Sequence, residues 1–384
     1  MTNKMKNVPE LRFPEFIEEW EEKRLGDLYK YQQGQQIPVE NQYKIQINNM
    51  KRFIRIVDVT ENPKKRYIKD RKESGLINQK DLIMIRYGAS AGTISMGYEG
   101  VIANNLFKFV KKQNVDNRYF YFLLKKSHFK IKSLSSQSAM PALNFNAMDT
   151  LKFSIPQYSE QQKIGSFFSK LDRQIELEEQ KLEKLEEQKK GYMQQIFSQQ
   201  LRFKDENGDY YSEWKEKLIK DILEFENNRR KPITSSLREI GKYPYYGATG
   251  IIDYVKDYIF DGETRLLIGE DGAKWGAFEE SSFIAKNRYW VNNHAHVCKS
   301  KINNLVFLNY LLNYKELRTY VTGNAPAKLT YNNLSMIPMF LPSVYEQEKI
   351  GNFLKKIDEL IGKQNKKINE LKIRKQGFLQ KMFI

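Results

Sequence analysis

Apolar side chains recur at seam spacing along two stretches of this chain. In the first they fall at Ile164, Phe168, Leu171, Ile175, Leu182, Leu185, Tyr192 and Ile196, and in the second at Ile350, Leu354, Ile357, Ile361, Ile368, Leu371, Phe378 and Met382. Both runs step by 4, 3, 4, 7, 3, 7 and 4, and the places passed over by the sevens hold Glu178 and Lys189 in one, Gln364 and Lys375 in the other. This is a heptad pattern in segments rich in strong helix formers, each begun after a helix-breaking proline, Pro156 or Pro342, so two long helices are predicted. A strict seam is too narrow to bury a helix in a globule, and the nearest matching stripe belongs to the other helix. Antiparallel pairing within the chain is therefore expected, at high effective concentration. Packing on its own domain and dimerisation between chains are the other uses of such a seam. About 38 residues at roughly 1.5 Å rise make a rod of some 57 Å.

The two stretches are copies of one another. Ile155 to Phe197 aligns without a gap on Leu341 to Phe383 at a constant offset of 186 positions, pairing Pro156 with Pro342, Glu160 with Glu346, Lys163 with Lys349, Gly165 with Gly351, Asp172 with Asp358 and Gly191 with Gly377. Weaker similarity runs upstream of each. Leu11-Arg12-Phe13 answers Leu201-Arg202-Phe203, Trp20 answers Trp214, and Gly88-Ala89-Ser90-Ala91-Gly92 answers Gly272-Ala273-Lys274-Trp275-Gly276. The chain is thus a tandem, with boundaries drawn at 1–154, 155–200, 201–340 and 341–384.

The other two segments carry short apolar or alternating runs broken by Gly, Asn, Asp and Pro. Strands are predicted at Phe53 to Val59, Leu82 to Tyr87, Thr93 to Met96 and Leu106 to Val110, then a helix from Tyr119 to Leu134. In the second copy strands are predicted at Tyr254 to Phe260, Arg265 to Ile268, Phe283 to Ala285 and His294 to Cys298, then a helix from Leu305 to about Tyr320. Each is an α+β module.

Composition narrows the partner. Across 384 residues, 64 Lys and Arg against 47 Asp and Glu give a net charge of +17, with 29% charged and 13% aromatic residues, the balance of a folded basic chain rather than a disordered tail. Such an excess points to a polyanion, nucleic acid first, with an acidic protein or a membrane surface behind it. One cysteine, Cys298, excludes an intramolecular disulfide, and with no apolar run of about 18 residues the expected location is cytoplasmic.

Charge is unevenly spread: +11 over residues 1–158, −1 over 159–200, +2 over 201–340 and +5 over 341–384. The densest stretch, Lys44 to Lys72, makes Lys51, Arg52, Lys64, Lys65, Arg66, Tyr67, Arg71 and Lys72 candidates for phosphate and base-edge contact. Arg86 just before the first Gly-Ala-x-x-Gly element and Ser90 within it are further candidates. The element's glycines suit either close approach to a phosphate or simple relief of a tight turn. In the second module the candidates are Asn228, Arg229, Arg230, Lys231, Tyr246, Lys274 and Trp275. Asn and Arg can bond adenine and guanine edges in two places at once, and Asn is also a common turn residue.

Catalytic patterns are thin. His294, His296 and Cys298 alternate as zinc ligands could, but no fourth ligand accompanies them, so no metal is expected. Asp209 with Glu213-Trp214-Lys215 superficially fits the acidic-acidic-lysine arrangement of metal-dependent nucleases, without the strand context that holds magnesium. Phosphate-loop, dinucleotide and amino-methyltransferase motifs are missing, and no catalytic residue is assigned.

Taken with the duplicated Glu160-Gln161-Gln162-Lys163-Ile164-Gly165 and Glu346-Gln347-Glu348-Lys349-Ile350-Gly351, the heptad helices and the Trp-initiated modules, the whole chain resembles the specificity (S) subunit of type I restriction-modification systems. The resemblance implies two tandem α+β target-recognition domains, separated by two long helices that form an intramolecular antiparallel coiled coil. It implies a non-catalytic subunit that binds double-stranded DNA at an asymmetric split site, each domain reading one half and the helices setting the unread gap. It further implies two modification (methyltransferase) subunits and restriction subunits as partners, with S-adenosylmethionine, ATP and Mg2+ belonging to them and no cofactor in this chain. A stand-alone architectural DNA-binding protein and a metal-dependent nuclease are the alternatives.

Overall fold

The structure is a computed structural model and describes residues 7–61, 64–69, 74–135, 141–323 and 327–384. It divides into two compact units, Met1–Glu178 with Lys367–Ile384, and Glu179–Lys366, so each unit takes a module and a part of both long helices.

In the first unit an antiparallel sheet orders its strands Tyr29–Gln33, Leu106–Lys111, Ile83–Ile85 and Ile94–Ser95. The second has Arg66–Ile68, Lys51–Ile54, Gly100–Ile102 and Leu76–Ile77, with Lys51–Ile54 parallel to Gly100–Ile102. Leu82 and Met84 join a core with the helix Asn117–Lys126, whereas Ile83 and Ile85 join the core of the second sheet. A strand buried on both faces reads as a continuous apolar run, as Leu82 to Ile85 does.

The second unit repeats the plan. Glu224–Phe225, Ala295–Lys299, Arg265–Gly269 and Ser282–Ala285 form its antiparallel sheet, and Gly250–Val255, Ile240–Gly247 and Trp290–Val291 the other. Leu266 and Ile268 again face one core and Leu267 the other. Register fixes the correspondence: Met84 pairs with Phe107 as Ile268 pairs with His296, and Ile85 with Leu106 as Gly269 with Ala295.

The long helices run Tyr158–Phe197 and Val344–Lys381, each starting two residues after its proline. Their duplicated first turn is an anchor. Arg12 forks onto the fully buried Glu160 carboxylate at 2.7 and 2.7 Å, and Arg202 onto the fully buried Glu346 at 2.9 and 3.0 Å. Gln161 accepts from the Asp116 N–H and donates to the Pro156 carbonyl. Gln347 does the same with Asn304 and Pro342. Asp116 and Asn304 in turn cap the module helices, accepting from the Tyr119 and Phe307 N–H groups. Gly165 lets that cap approach: a β-carbon there would meet Asp116 Oδ1 at 2.7 Å and the Tyr119 nitrogen at 2.8 Å.

The helices meet antiparallel inside each unit. In the first, Leu171, Ile175 and Leu371 cluster, and Phe168 lies with Met382 and Phe383. In the second, Met193 and Ile196 share a core with Ile350, Leu354 and Ile357. Leu182, Leu185 and Ile361 are half-buried and Ile368 is buried. The polar seam places are used in matching ways. Lys189 pairs with Asp358 at 2.6 Å beneath the Tyr310 ring, and its copy Lys375 pairs with Asp172 beside Phe122.

Several local expectations are corrected. Tyr192 is 39% exposed and Met193 takes the buried place, because a 3.6-residue helix drifts off a 3.5-residue seam near its end. Phe53 to Val59 is not one strand: after Lys51–Ile54 the chain turns into the short helix Ile56–Thr60, whose buried Asp58 accepts from the Arg55 N–H. The helix expected over Tyr119 to Leu134 breaks at Ser127 into Asn117–Lys126 and His128–Lys132, and the one from Leu305 ends at Tyr314. Within the basic stretch Arg66 and Tyr67 lie on a strand that was not predicted, and the strand expected at Tyr254 to Phe260 is Gly250–Val255.

Candidate nucleic-acid interface

In the first unit, register places Arg52 opposite Tyr67 and Phe53 opposite Arg66, so Lys51, Arg52, Arg66 and Tyr67 share one strand pair, with exposed Lys64 and Lys65 just before it. Asp58 receives Arg52 at 3.4 Å and Arg55 at 2.9 Å, and the Arg52 guanidinium lies over the Tyr98 ring. Beside this pair opens a cleft of about 870 Å³ lined by Gln46, Lys51, Arg52, Asn78, Gln79 and Lys108 among others. Its amides were not singled out in the sequence. The dipeptide Asn78-Gln79 between two strands was the available signal. Arg71 and Lys72 lie outside the described residues.

Arg86 follows the strand Ile83–Ile85, and Ser90 is half-buried in the next turn. That turn needs its glycines, with φ +89° at Gly88 and +87° at Gly92. The N–H groups of Gly88, Ala91, Gly92 and Thr93 already donate to Pro141, Gly88, Ile85 and Ser90. Four of the turn's N–H groups are thus already used, and its glycines are needed for the turn itself.

In the second unit the arginines are engaged by carboxylates. Arg229 forks onto Glu263 at 2.8 and 2.7 Å over the Phe260 ring. That bond raises the arginine's pKa and holds the Glu263 carboxyl below its usual range. Arg230 binds Glu270 at 2.5 Å and the carbonyls of Asn293 and Ala295. Asn228, Lys231 and Lys274 are exposed. Tyr246 stacks on Phe283, and burial raises its phenol pKa. Trp275 is buried and its indole N–H donates to the Gly269 carbonyl at 3.1 Å, a core place rather than a ligand-facing one.

The three alternating residues separate. His294 precedes the strand and bonds Asp271. His296 is buried, with Nε2 on the Leu329 carbonyl at 2.8 Å, and burial lowers its pKa. The Cys298 thiol is buried and pushed up. Among the described residues no group of three His, Cys, Asp or Glu is placed to hold a metal ion, and no helix is long and apolar enough to cross a membrane. Asp209 and Glu213 are both exposed and outside any strand.

Two units of one plan, each opened by a tryptophan and closed on a duplicated helix anchor, agree with the family model described as the type I restriction modification DNA specificity domain, which matches twice, over residues 17–187 and 211–372. The chain belongs to this family. It is 40% identical over 145 residues to a putative type I restriction enzyme specificity subunit of Haemophilus influenzae, covering 37% of this chain and 36% of that protein. It is 22% identical over 232 residues to the type I restriction enzyme MjaVIII specificity subunit of Methanocaldococcus jannaschii, covering 59% and 54%. The matched stretches thus span about a third to half the length of these curated relatives. The specificity-family fold extends further: the crystal structure of a type I restriction-modification S subunit from M. genitalium superposes with a TM-score of 0.68 at 17% identity, over 98% of this chain and 99% of that one.

Proposed function

We propose that this chain is the sequence-reading subunit of a type I restriction-modification assembly. It binds double-stranded DNA at an asymmetric split site, one half-site to each recognition domain, and performs no chemistry itself. The observation that carries this reading is a scaffold kept in duplicate while its surfaces diverge. The anchors at Glu160 and Glu346 match atom for atom, yet the modules above them differ in charge and in how their arginines are engaged. Unlike modules on like scaffolds suit a site whose halves differ.

Contacts are assigned to Lys51, Arg52, Lys64, Lys65, Arg66 and Tyr67 in the first unit, and to Asn228, Lys231 and Lys274 in the second. The helices, at 40 and 38 residues, set the unread gap. Modification subunits supply S-adenosylmethionine chemistry, and restriction subunits use ATP and Mg2+. Membership of the family and the two matches to specificity subunits support this division of labour.

The test is to express the chain with its modification subunits in a host lacking other methylation and to map modified bases. A two-part motif with a fixed gap is expected. A contiguous motif, or modification unaffected by omitting this chain, would reject the reading.

A further inference from the structure

Corresponding positions in the two units carry opposite charge. Arg86 and Glu270 each follow the central strand of the antiparallel sheet. Each receives a backbone bond at its carbonyl from an equivalent leucine, Leu143 at 3.0 Å and Leu329 at 2.7 Å. The next residues, Tyr87 and Asp271, bridge to Ala142 and Lys328. The scaffold is the same and the side chains are reversed.

Their surroundings differ as much as their charge. Glu270 is neutralised by Arg230 at 2.5 Å, with His296 at 3.7 Å. Arg86 has no carboxylate partner among the described residues. Its guanidinium stands 4.2 Å from the Phe145 ring centre and 4.9 Å from that of Tyr87, and Nη1 donates to Gln33. Its Nε is buried and has no partner among the described residues, and its backbone N–H donates to the Asn105 carbonyl. A half-buried cation with an unsatisfied donor destabilises the free protein, and two aromatic faces fix the plane of its fork.

We infer that Arg86 reads a G·C base pair in the half-site of the first unit, through guanine O6 and N7. A guanidinium fork matches those two acceptors. A phosphate accepts from a guanidinium in many orientations, whereas the in-plane acceptors of a guanine edge require a fork held in one plane, as the Phe145 and Tyr87 rings and the bond to Gln33 hold this one. Glu270, already paired, has no such part in the second unit. The two half-sites are read through different elements of one scaffold.

This rests on the proposed function, and the methylation map separates the two. A two-part motif with no G·C position in either half overturns the Arg86 assignment and leaves the proposed function standing. No two-part motif overturns both. The direct experiment measures binding of the chain, complexed with its modification subunits, to site DNA carrying 7-deazaguanine at each guanine in turn, for wild type and Arg86→Lys. About tenfold weaker wild-type binding is expected at one guanine of one half-site, with Arg86→Lys indifferent to that substitution and its methylation motif relaxed at that position alone. The assignment is overturned if no guanine is sensitive, or if the same guanine stays sensitive in Arg86→Lys. It is also overturned if Arg86→Gln lowers modification at every site while Arg86→Lys restores it without widening the motif, which marks a phosphate contact. An Arg86→Lys protein that melts early or loses both half-sites together marks a core support and overturns it as well.

Discussion

The two units share a scaffold and part company in electrostatics. Counted over its own residues the first unit carries +14 and the second +3. In the second, Arg229, Arg230, Arg238, Arg265 and Arg288 all pair with carboxylates, whereas in the first Asp58 alone serves both Arg52 and Arg55, and Lys64 and Lys65 stand exposed. Cations bound to carboxylates add little field at a distance, so the first unit is equipped to neutralise phosphates and the second to hold a shape. Duplication preserved what anchors the helices and released what faces outward.

If the anchors are equivalent, breaking either should cost the same. Arg12→Ala strands the buried Glu160 carboxylate and Arg202→Ala strands Glu346, and removing one partner of a buried pair costs about 3–5 kcal/mol. Arg202 also donates to the Tyr211 and Ser212 carbonyls, so its loss should be the somewhat larger. Thermal melting read by hydrogen exchange in each unit measures both. A loss confined to one anchor would mean that the copies no longer do the same work.

The glycines of the same turn sharpen the comparison. A β-carbon at Gly165 would come to 2.7 Å from Asp116 Oδ1, whereas at Gly351 the nearest atoms, Asn304 Oδ1 and the Phe307 nitrogen, are at 3.3 Å. Gly165→Ala is expected to destabilise by about 2–3 kcal/mol, in the range of overpacked cores, and Gly351→Ala by about 1 kcal/mol or less. Equal losses in the melting temperature would show that the first turn relaxes freely.

The charge contrast makes a prediction for DNA. Replacing Lys64 and Lys65 by Gln should reduce the slope of log affinity against log salt by about one for each phosphate that is no longer neutralised. The same change at Lys231 and Lys274 should reduce it less, since the second unit carries +3 against +14 in the first. Titrations of the assembled complex over several salt concentrations give both slopes, and equal slopes would end the proposed division of electrostatic labour.

Much of the scaffold was legible in the sequence because its signals are local or repeated. The seam from Phe168 to Ile196 recurs at a fixed offset, and Glu160-Gln161 is duplicated as Glu346-Gln347. What those residues bond was hidden, since Arg12 and Glu160 lie 148 positions apart. The same distance problem hides what Arg229 and Arg230 bond. As isolated basic residues they suggest base contact, and the carboxylates that engage them arrive from 34 and 40 positions away. Trp275 stood among the candidates for ligand contact, and Ala91 holds the matching place in the first module. Both are buried, and what varies there is how a core is filled. Strand ends and short helices such as Ile56–Thr60 depend on one capping contact, which periodicity does not encode.

The finest difference between the units is one side chain. Sheet register puts His296 where the first unit has Phe107, beside Ile268 and Met84 respectively. His296 is held neutral by burial, facing the Leu329 carbonyl, Asn227 and Glu270, with Arg230 and Asp271 nearby. Its folded pKa lies below the unfolded value, so between the two the unfolded chain binds more protons and stability rises with pH. The contribution is complete above the unfolded histidine range, near 6.5, and is lost as pH falls toward the depressed folded value. The second unit should therefore lose hydrogen-exchange protection on acidification from pH 7 to 5.5, while the corresponding core around Phe107 in the first unit holds. His296→Gln should flatten the response in the second unit. A slope that survives the substitution would assign it to other groups in that unit, and Phe107 would then be no different from His296 in what acid does to the sheet.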